Sequence, residues 1–206
     1  SMIKNNIFST KKLVEFALTK KIKHFTFVSS DKAVNPKSIL GYSKSLGEKI
    51  INQSYLDNKK KYNTCFTIVR FGNVIGSSGS VIPIFLNQLV EKNYLTVTDK
   101  NAKRYFMSIS EAVQLTINAS YLNKNNIKIY ALDMGKQIKI IDIARRIIRL
   151  SGYTIKDKNN PNGDFFIKLI GLKKGEKLSE EIALGKNLIK TNHPQIYECD
   201  EKIKKI

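Results

Sequence analysis

Apolar and polar positions follow two rhythms along the chain. Between residues 3 and 20, Ile7, Leu13, Val14, Phe16, Ala17 and Leu18 recur at helical spacing among lysines, which predicts a helix with one buried face. His24 to Val28 (HFTFV) is a short aromatic and β-branched run, hence a strand, and it stops at Ser29-Ser30-Asp31-Lys32. Residues 38–56 read as a long helix after Pro36 with Ser38 as its cap, and Thr64 to Phe71 as the next strand, ending at Gly72-Asn73. A helix is expected over 81–92, short strands near Leu95 to Thr98 and Tyr105 to Ser108, and a helix from Ser110, taken as its cap, to Leu122. Ile127 to Leu132 predicts a strand, and Ile140 to Leu150 a helix closed by Gly152. Residues 153–164, with Asn159-Asn160-Pro161-Asn162-Gly163, carry loop chemistry. Phe165 to Ile170 closes the series of strands and Lys177 to Leu184 the series of helices. Phe25, Phe27, Phe165 and Phe166 read as core.

Strands alternating with helices of this length imply an α/β fold with a parallel sheet and crossover helices. In such sheets functional groups gather in the loops beyond the carboxyl ends of the strands. Three loops qualify: Ser29 to Pro36, Gly72 to Ser80, and Asp133 to Lys136.

Composition narrows the class. The 206 residues are 42% hydrophobic and 26% charged, as in globular proteins, so disorder and fibrous architectures are excluded. No apolar run approaches the ~20 residues a membrane-spanning helix needs. Lys4, Lys11 and Lys12 stand where a signal peptide would carry its apolar core. Cys65 and Cys199 lack metal-ligand spacing and make no disulfide framework, so a reduced, cytoplasmic protein is expected. The net charge of +19 raises the question of nucleic acid. Against it, the excess is spread along the chain, +11 in residues 1–103 and +8 in the remainder, and only 5 of the 36 basic residues are arginine. Lys, Asn and Ile together make up 78 residues, a bias typical of an AT-rich coding sequence, so the lysines read as solvated surface with no specific nucleic-acid partner.

The chemistry-bearing cluster is Ser29-Ser30-Asp31-Lys32, with Lys44 about three turns further on, in the following helix. A hydroxyl, a carboxylate and two amines meet at one strand end; taken alone, the cluster is equally the approach loop of a helix. The longer string from Ser29 to Lys44 (SSDKAVNPKSILGYSK) changes this. It resembles the signature of the nucleotide-sugar 4,6-dehydratases in the extended short-chain dehydrogenase/reductase superfamily, in the polysaccharide-biosynthesis branch that acts on UDP-N-acetylglucosamine. Further blocks agree in order: Val69 to Pro83, Arg104 to Val113, Leu132 to Gly135 with Ile140 to Arg145, and Gly171 to Lys177.

The resemblance implies roles residue by residue. Lys44 matches the lysine that binds the nicotinamide ribose of NAD or NADP, with Ser29 on the same cofactor side. Ser30 matches the hydroxyl near the sugar C4, Asp31 the general acid that expels the C6 hydroxyl, and Lys32 the base that removes the C5 proton. Asn73 and Arg104 match residues that hold the diphosphate, Glu176 the one that holds the uridine ribose, and Lys173 stands where an arginine of that grip is usual. Gly76, Gly79 and the serines between them suggest a loop near the phosphates. The resemblance further implies residues 3–92 as the C-terminal half of a Rossmann-like NAD(P)-binding domain, and 93–206 as a small mixed substrate-binding region. The expected activity is 4,6-dehydration of a UDP-N-acetylhexosamine; the alternatives are 4-epimerisation and a non-catalytic nucleotide-sugar binder.

Three departures accompany it. The tyrosine of the superfamily's Tyr-x-x-x-Lys pair is Leu40 here, and Tyr42 lies about 200° away around a helix. Lys173-Lys174 replaces an Arg-Pro pair. No Gly-x-Gly-x-x-Gly follows a strand. The last point leads to the expectation of a C-terminal portion of a larger enzyme, inactive alone, that forms homo-oligomers or pairs with a missing N-terminal half.

Overall fold

The computed structural model describes residues 2–77, 80–124, 126–185 and 188–201. A π-helical turn at Lys4–Phe8 leads into α1 (Ser9–Thr19) and then β1 (His24–Val28). Next come α2 (Ile39–Asn58), β2 (Cys65–Arg70), β3 (Asn73–Val74), α3 (Val81–Glu91) and β4 (Tyr94–Val97). The order continues with β5 (Lys103–Arg104), β6 (Phe106–Met107), α4 (Ile109–Leu122), β7 (Ile127–Leu132), β8 (Ile138–Lys139) and α5 (Ile140–Leu150). It ends with β9 (Phe166–Leu169), β10 (Leu188–Lys190) and β11 (Ile196–Cys199).

Contacts divide the chain into two compact units. Unit 1 comprises residues 1–72, 110–134 and 181–206; unit 2 comprises 73–109 and 135–180. The boundary expected at 92/93 falls inside unit 2, between α3 and β4.

Unit 1 is built on a five-stranded sheet in the order β1-β2-β7-β11-β10. β1 pairs β2 and β2 pairs β7 in parallel, as crossover helices require, whereas β11 and β10 add on antiparallel. Every residue of β2 is buried, which is why its sequence reads as a continuous apolar run rather than an alternation. α1 supplies Val14 and Leu18, α2 supplies Ile51, and these pack on Phe27, Phe66, Ile68 and Ile129. Each such side chain contributes about 1.5–3 kcal/mol through burial. Unit 2 joins α3 and α5 around Phe85, Leu95, Val97, Ala144, Ile148 and Phe165, with β4 and β9 paired in parallel.

The helices and strands expected up to residue 170 are present, within a residue or two at most ends. Four details differ. α4 begins at Ile109, so Ser110 lies in its first turn rather than at its cap. The strand expected at Tyr105 to Ser108 is the shorter β6, and an unexpected strand, β5, precedes it, the two separated at Tyr105, whose carbonyl accepts from Asn73 N. Phe166 is exposed on β9, while Phe165 is buried. The helix expected over Lys177 to Leu184 does not form. There the Leu178 carbonyl accepts from Lys103 N and the Glu180 carbonyl from Gln137 Nε2, so both are taken by neighbouring segments. Gly175 and Gly185, both at positive φ, flank the stretch, which crosses from unit 2 to unit 1 at residues 180 and 181. Among the described residues no helix is long and apolar enough to cross a membrane.

Candidate active site

The loop after β1 continues the strand's pairing before it turns. Ser29 N donates to Val69 O at 2.8 Å and Asp31 N to Phe71 O at 3.1 Å, so the loop is registered on β2. Ser30 is extended, and its Oγ accepts from Lys32 N, which caps a single 3₁₀ turn at Asp31–Ala33. The same hydroxyl donates to Asp31 Oδ1 at 2.8 Å, and Lys32 Nζ lies 3.0 Å from that oxygen. Asp31 is fully buried, and its second oxygen, Oδ2, has no hydrogen-bond partner among the described residues. An orphaned oxygen on a buried carboxylate is costly, and it is an acceptor position open to a proton or a ligand group.

α2 sets the far wall of this loop. Ser38 Oγ accepts from Gly41 N at 3.1 Å and starts the helix. Gly41 sits hard against the loop: a Cβ there would lie 2.4 Å from the Lys32 carbonyl oxygen. Any side chain at 41 would push the Asp31–Lys32 turn aside. One turn further on, Lys44 reaches back to the strand end, where Nζ donates to Val28 O at 2.9 Å and lies 5.0 Å from the centre of the Phe27 ring. Burial pulls the Lys44 ammonium below the ordinary lysine range, and the charge of Glu48 opposes that shift only in part. Tyr42 is exposed, as its helical offset from position 40 requires. The Ser29 hydroxyl, expected on the cofactor side, is instead buried and donates to Glu48 Oε1 at 2.6 Å.

The remaining predicted residues meet in unit 2. Asn73, Arg104, Lys173 and Glu176 all line one cavity of about 190 Å³, with Thr98 and Phe85 among its other walls. Arg104 is buried, and its Nη2 lies 3.0 Å from Glu176 Oε1 while Nη1 donates to the Lys103 and Leu178 carbonyls. Glu176 also accepts from Thr98 Oγ1 at 2.8 Å and from Lys173 N at 3.2 Å. The cavity thus pairs a fixed guanidinium with a carboxylate against an apolar wall, an arrangement suited to a phosphate and a ribose hydroxyl side by side. Gly76 makes a turn at positive φ in the adjoining loop, whereas Ser78 and Gly79 lie outside the described residues.

Sequence reasoning missed Gly41, Glu48, Arg70 and Glu201. Arg70 is buried at the end of β2, with Nε and Nη2 on the two Glu48 oxygens at 2.9 and 2.7 Å and Nη1 on both Glu201 oxygens at 3.0 and 2.9 Å. Burial alone would favour the neutral guanidine, but the hydrogen bonds and charge of Glu48, with the charge of Glu201, win and hold it firmly protonated. A signal was present: an arginine inside an apolar strand needs a buried carboxylate.

The parallel strands, their crossover helix and a charged loop at a strand's carboxyl end define a Rossmann-like α/β protein. The chain belongs to the polysaccharide biosynthesis protein family, whose model matches residues 1–201. It is 44% identical over 197 residues to the capsular polysaccharide biosynthesis protein CapD of Staphylococcus aureus, covering 95% of this chain and 30% of that protein. Among solved structures, Pen from Bacillus thuringiensis superposes with a TM-score of 0.80 at 33% identity, over 94% of this chain and 56% of Pen. At 16% identity and a TM-score of 0.66, the NAD complex of dTDP-glucose 4,6-dehydratase from Bacillus anthracis shares the fold, over 87% of this chain and 59% of that one. The chain therefore spans about a third to three fifths of the length of these relatives.

Proposed function

We propose that the chain carries the catalytic loop and the nucleotide grip of an NAD(P)-dependent UDP-N-acetylhexosamine 4,6-dehydratase serving surface-polysaccharide synthesis. The observation that carries this reading is the loop after β1, where a buried carboxylate with one unpartnered oxygen is joined to a hydroxyl and an amine, with a second, desolvated amine at the same strand end. Hydride transfer alone, as in 4-epimerisation, has no use for both an acid and a base beyond the cofactor. Loss of water across C5 and C6 needs both.

NAD(P), when bound, supplies the oxidation at C4 that makes the C5 proton acidic and the hydride that returns to C6. The chain's own residues do the rest. Ser30 holds the C4 oxygen and relays its proton to Asp31, Asp31 gives that proton to the departing C6 hydroxyl, which leaves as water, and Lys32 takes the C5 proton and afterwards returns it to C5. Lys44, whose ammonium is partly desolvated at the strand end, fits the nicotinamide ribose. No Gly-rich pyrophosphate loop lies within the 206 residues, so the fit extends to the nicotinamide side alone. Arg104 and Asn73 take the diphosphate and Glu176 the uridine ribose, with Lys173 beside it.

Isothermal titration tests the reading. UDP and UDP-N-acetylglucosamine are expected to bind this chain in the absence of cofactor, and Asp31→Asn is expected to leave that binding intact while abolishing water loss wherever turnover is measured. Absence of heat with millimolar UDP would refute the nucleotide grip. Unimpaired formation of a 4-keto-6-deoxy product by Asp31→Asn would refute the acid.

A further inference from the structure

The end of β1 is gripped at two consecutive residues by one face of α2. Lys44 Nζ donates to the Val28 carbonyl at 2.9 Å, and Glu48, one turn later, accepts from Ser29 Oγ at 2.6 Å. Glu48 is itself immobilised by the bidentate Arg70 fork, and Arg70 is closed from its other side by Glu201, just beyond β11. Glu201 accepts in addition from Leu184 N. The Arg70, Glu48 and Glu201 side chains are each only 4% exposed.

Such a triad is a poor source of stability. Burying three charges costs about as much as their attraction returns, and apolar residues of equal volume often match it. What a triad provides that an apolar cluster does not is a carboxylate oxygen at a fixed place, here the one that receives Ser29.

We propose that Glu48 is a positioning residue for the catalytic loop: through Ser29, and together with the Lys44 grip on Val28, it fixes where Ser30, Asp31 and Lys32 stand, and Arg70 and Glu201 fix Glu48. This rests on the assignment of the loop after β1 as catalytic. It also ties the loop to a residue 170 positions away, so the last strand of the sheet takes part in organising the site.

Two variants of this chain test it, Glu48→Gln and Ser29→Ala. The first keeps the shape but removes the charge; the second leaves the Glu48–Arg70 pair whole and removes only the hydroxyl. The readouts are amide hydrogen exchange at Asp31 and Ala33, normalised to Ile129 in the sheet core, and the titration midpoint of Lys44 from its side-chain NMR signal. Both variants are expected to speed normalised exchange at Asp31 and Ala33 about tenfold, the equivalent of one hydrogen bond to a charged group. Facing the Lys44 amine are Glu48 on its own helix, the uncharged Val28 carbonyl and Phe27 ring of β1, and, in the loop continuing β1, the Asp31–Lys32 pair of no net charge. From the π-helical turn packed against α2 comes the uncharged Asn6 amide, bonded to Ser43. Removing the Glu48 charge, which holds the Lys44 ammonium up against burial, is therefore expected to lower the Lys44 midpoint further. Ser29→Ala is expected to leave that midpoint in place. Loop exchange within twofold of wild type in Ser29→Ala would overturn the proposal, as would an unmoved Lys44 midpoint in folded Glu48→Gln. Should Glu48→Gln not fold, Ser29→Ala decides alone. None of these readouts depends on UDP, so a failure of nucleotide binding would strike the proposed function and leave this result standing.

Discussion

Arg104→Ala separates a residue that holds the fold from one that holds a ligand. The Arg104 side chain is 8% exposed, with Nη2 on Glu176 at 3.0 Å and Nη1 on the Lys103 and Leu178 carbonyls at 2.7 and 3.3 Å. Truncation removes these bonds but does not strand the carboxylate. Glu176 keeps the Thr98 hydroxyl at 2.8 Å and Lys173 N at 3.2 Å, and its side chain is 22% exposed. The cost to folding should therefore be about 1–3 kcal/mol, which a domain of this size survives. The cost to binding is of another kind. A charge-assisted, two-pronged contact to a diphosphate is worth about 1.5–3 kcal/mol, so UDP affinity should fall about 10- to 100-fold. Arg104→Lys keeps the charge and loses the fork, and should fall between the two. Urea denaturation establishes that each variant is folded, and isothermal titration with UDP measures the loss. A folded Arg104→Ala chain that binds UDP within threefold of wild type would refute the assignment of this cavity to the diphosphate.

Further consequences follow from the buried charges. Arg70→Met leaves Glu48 and Glu201 buried without their counter-charge and should cost about 3–5 kcal/mol in urea denaturation, against less than 1 kcal/mol for an exposed lysine such as Lys60→Met. The Lys44 pKa is lowered by burial, so between that lowered value and 10.5 the unfolded chain binds more protons than the folded one, and stability should rise with pH in that window. Lys44→Met should flatten the rise; an equal pH slope in wild type and variant would contradict it. Burial pushes the Cys199 thiol up to about 12 against the pull of Arg70 and raises Cys65 as well, so both thiols should resist iodoacetamide at pH 8 until the protein unfolds. Rapid alkylation of the native chain would contradict their burial.

Much of unit 1 was legible because its elements are local and strongly patterned. HFTFV, TCFTIVRF and IKIYAL are aromatic and β-branched runs that predict strands, and the helix between the first two has its Ser38 cap in the sequence. The tail was not legible, for a physical reason. Over Lys177 to Leu184 the apolar spacing favours a helix, but the carbonyls of that stretch are claimed by Lys103 and Gln137, more than 40 residues away. β10 and β11 are three and four residues long, and they become strands by pairing with each other and with β7. The candidate site divides in the same way. The loop from Ser29 to Lys32 could be read from the chain, whereas the convergence of Asn73, Arg104, Lys173 and Glu176 on one cavity follows from no local pattern and was reached through family resemblance. Glu48 and Glu201 lie 22 and 131 positions from Arg70, beyond any periodicity.

The surplus positive charge and the chemistry of the candidate site are separate matters, because three basic side chains in and beside that site, Lys32, Arg70 and Arg104, are paired with acids. Asp31 meets Lys32, Glu48 and Glu201 meet Arg70, and Glu176 meets Arg104, each pair at about 3 Å or less and each with at least one partner buried. These pairs are shielded from salt by burial, whereas the exposed lysines that make up most of the excess are screened over ~8–10 Å at ordinary ionic strength. Attraction to polyanions through the lysine surface should therefore fade steeply with added salt. UDP held by the recessed Arg104 should weaken far less. A salt titration of UDP affinity beside that of an unrelated polyanion such as heparin distinguishes the two. If both fell in parallel, UDP would be bound by the general charge of the surface, and the assignment of Arg104 as a specific clamp would fail.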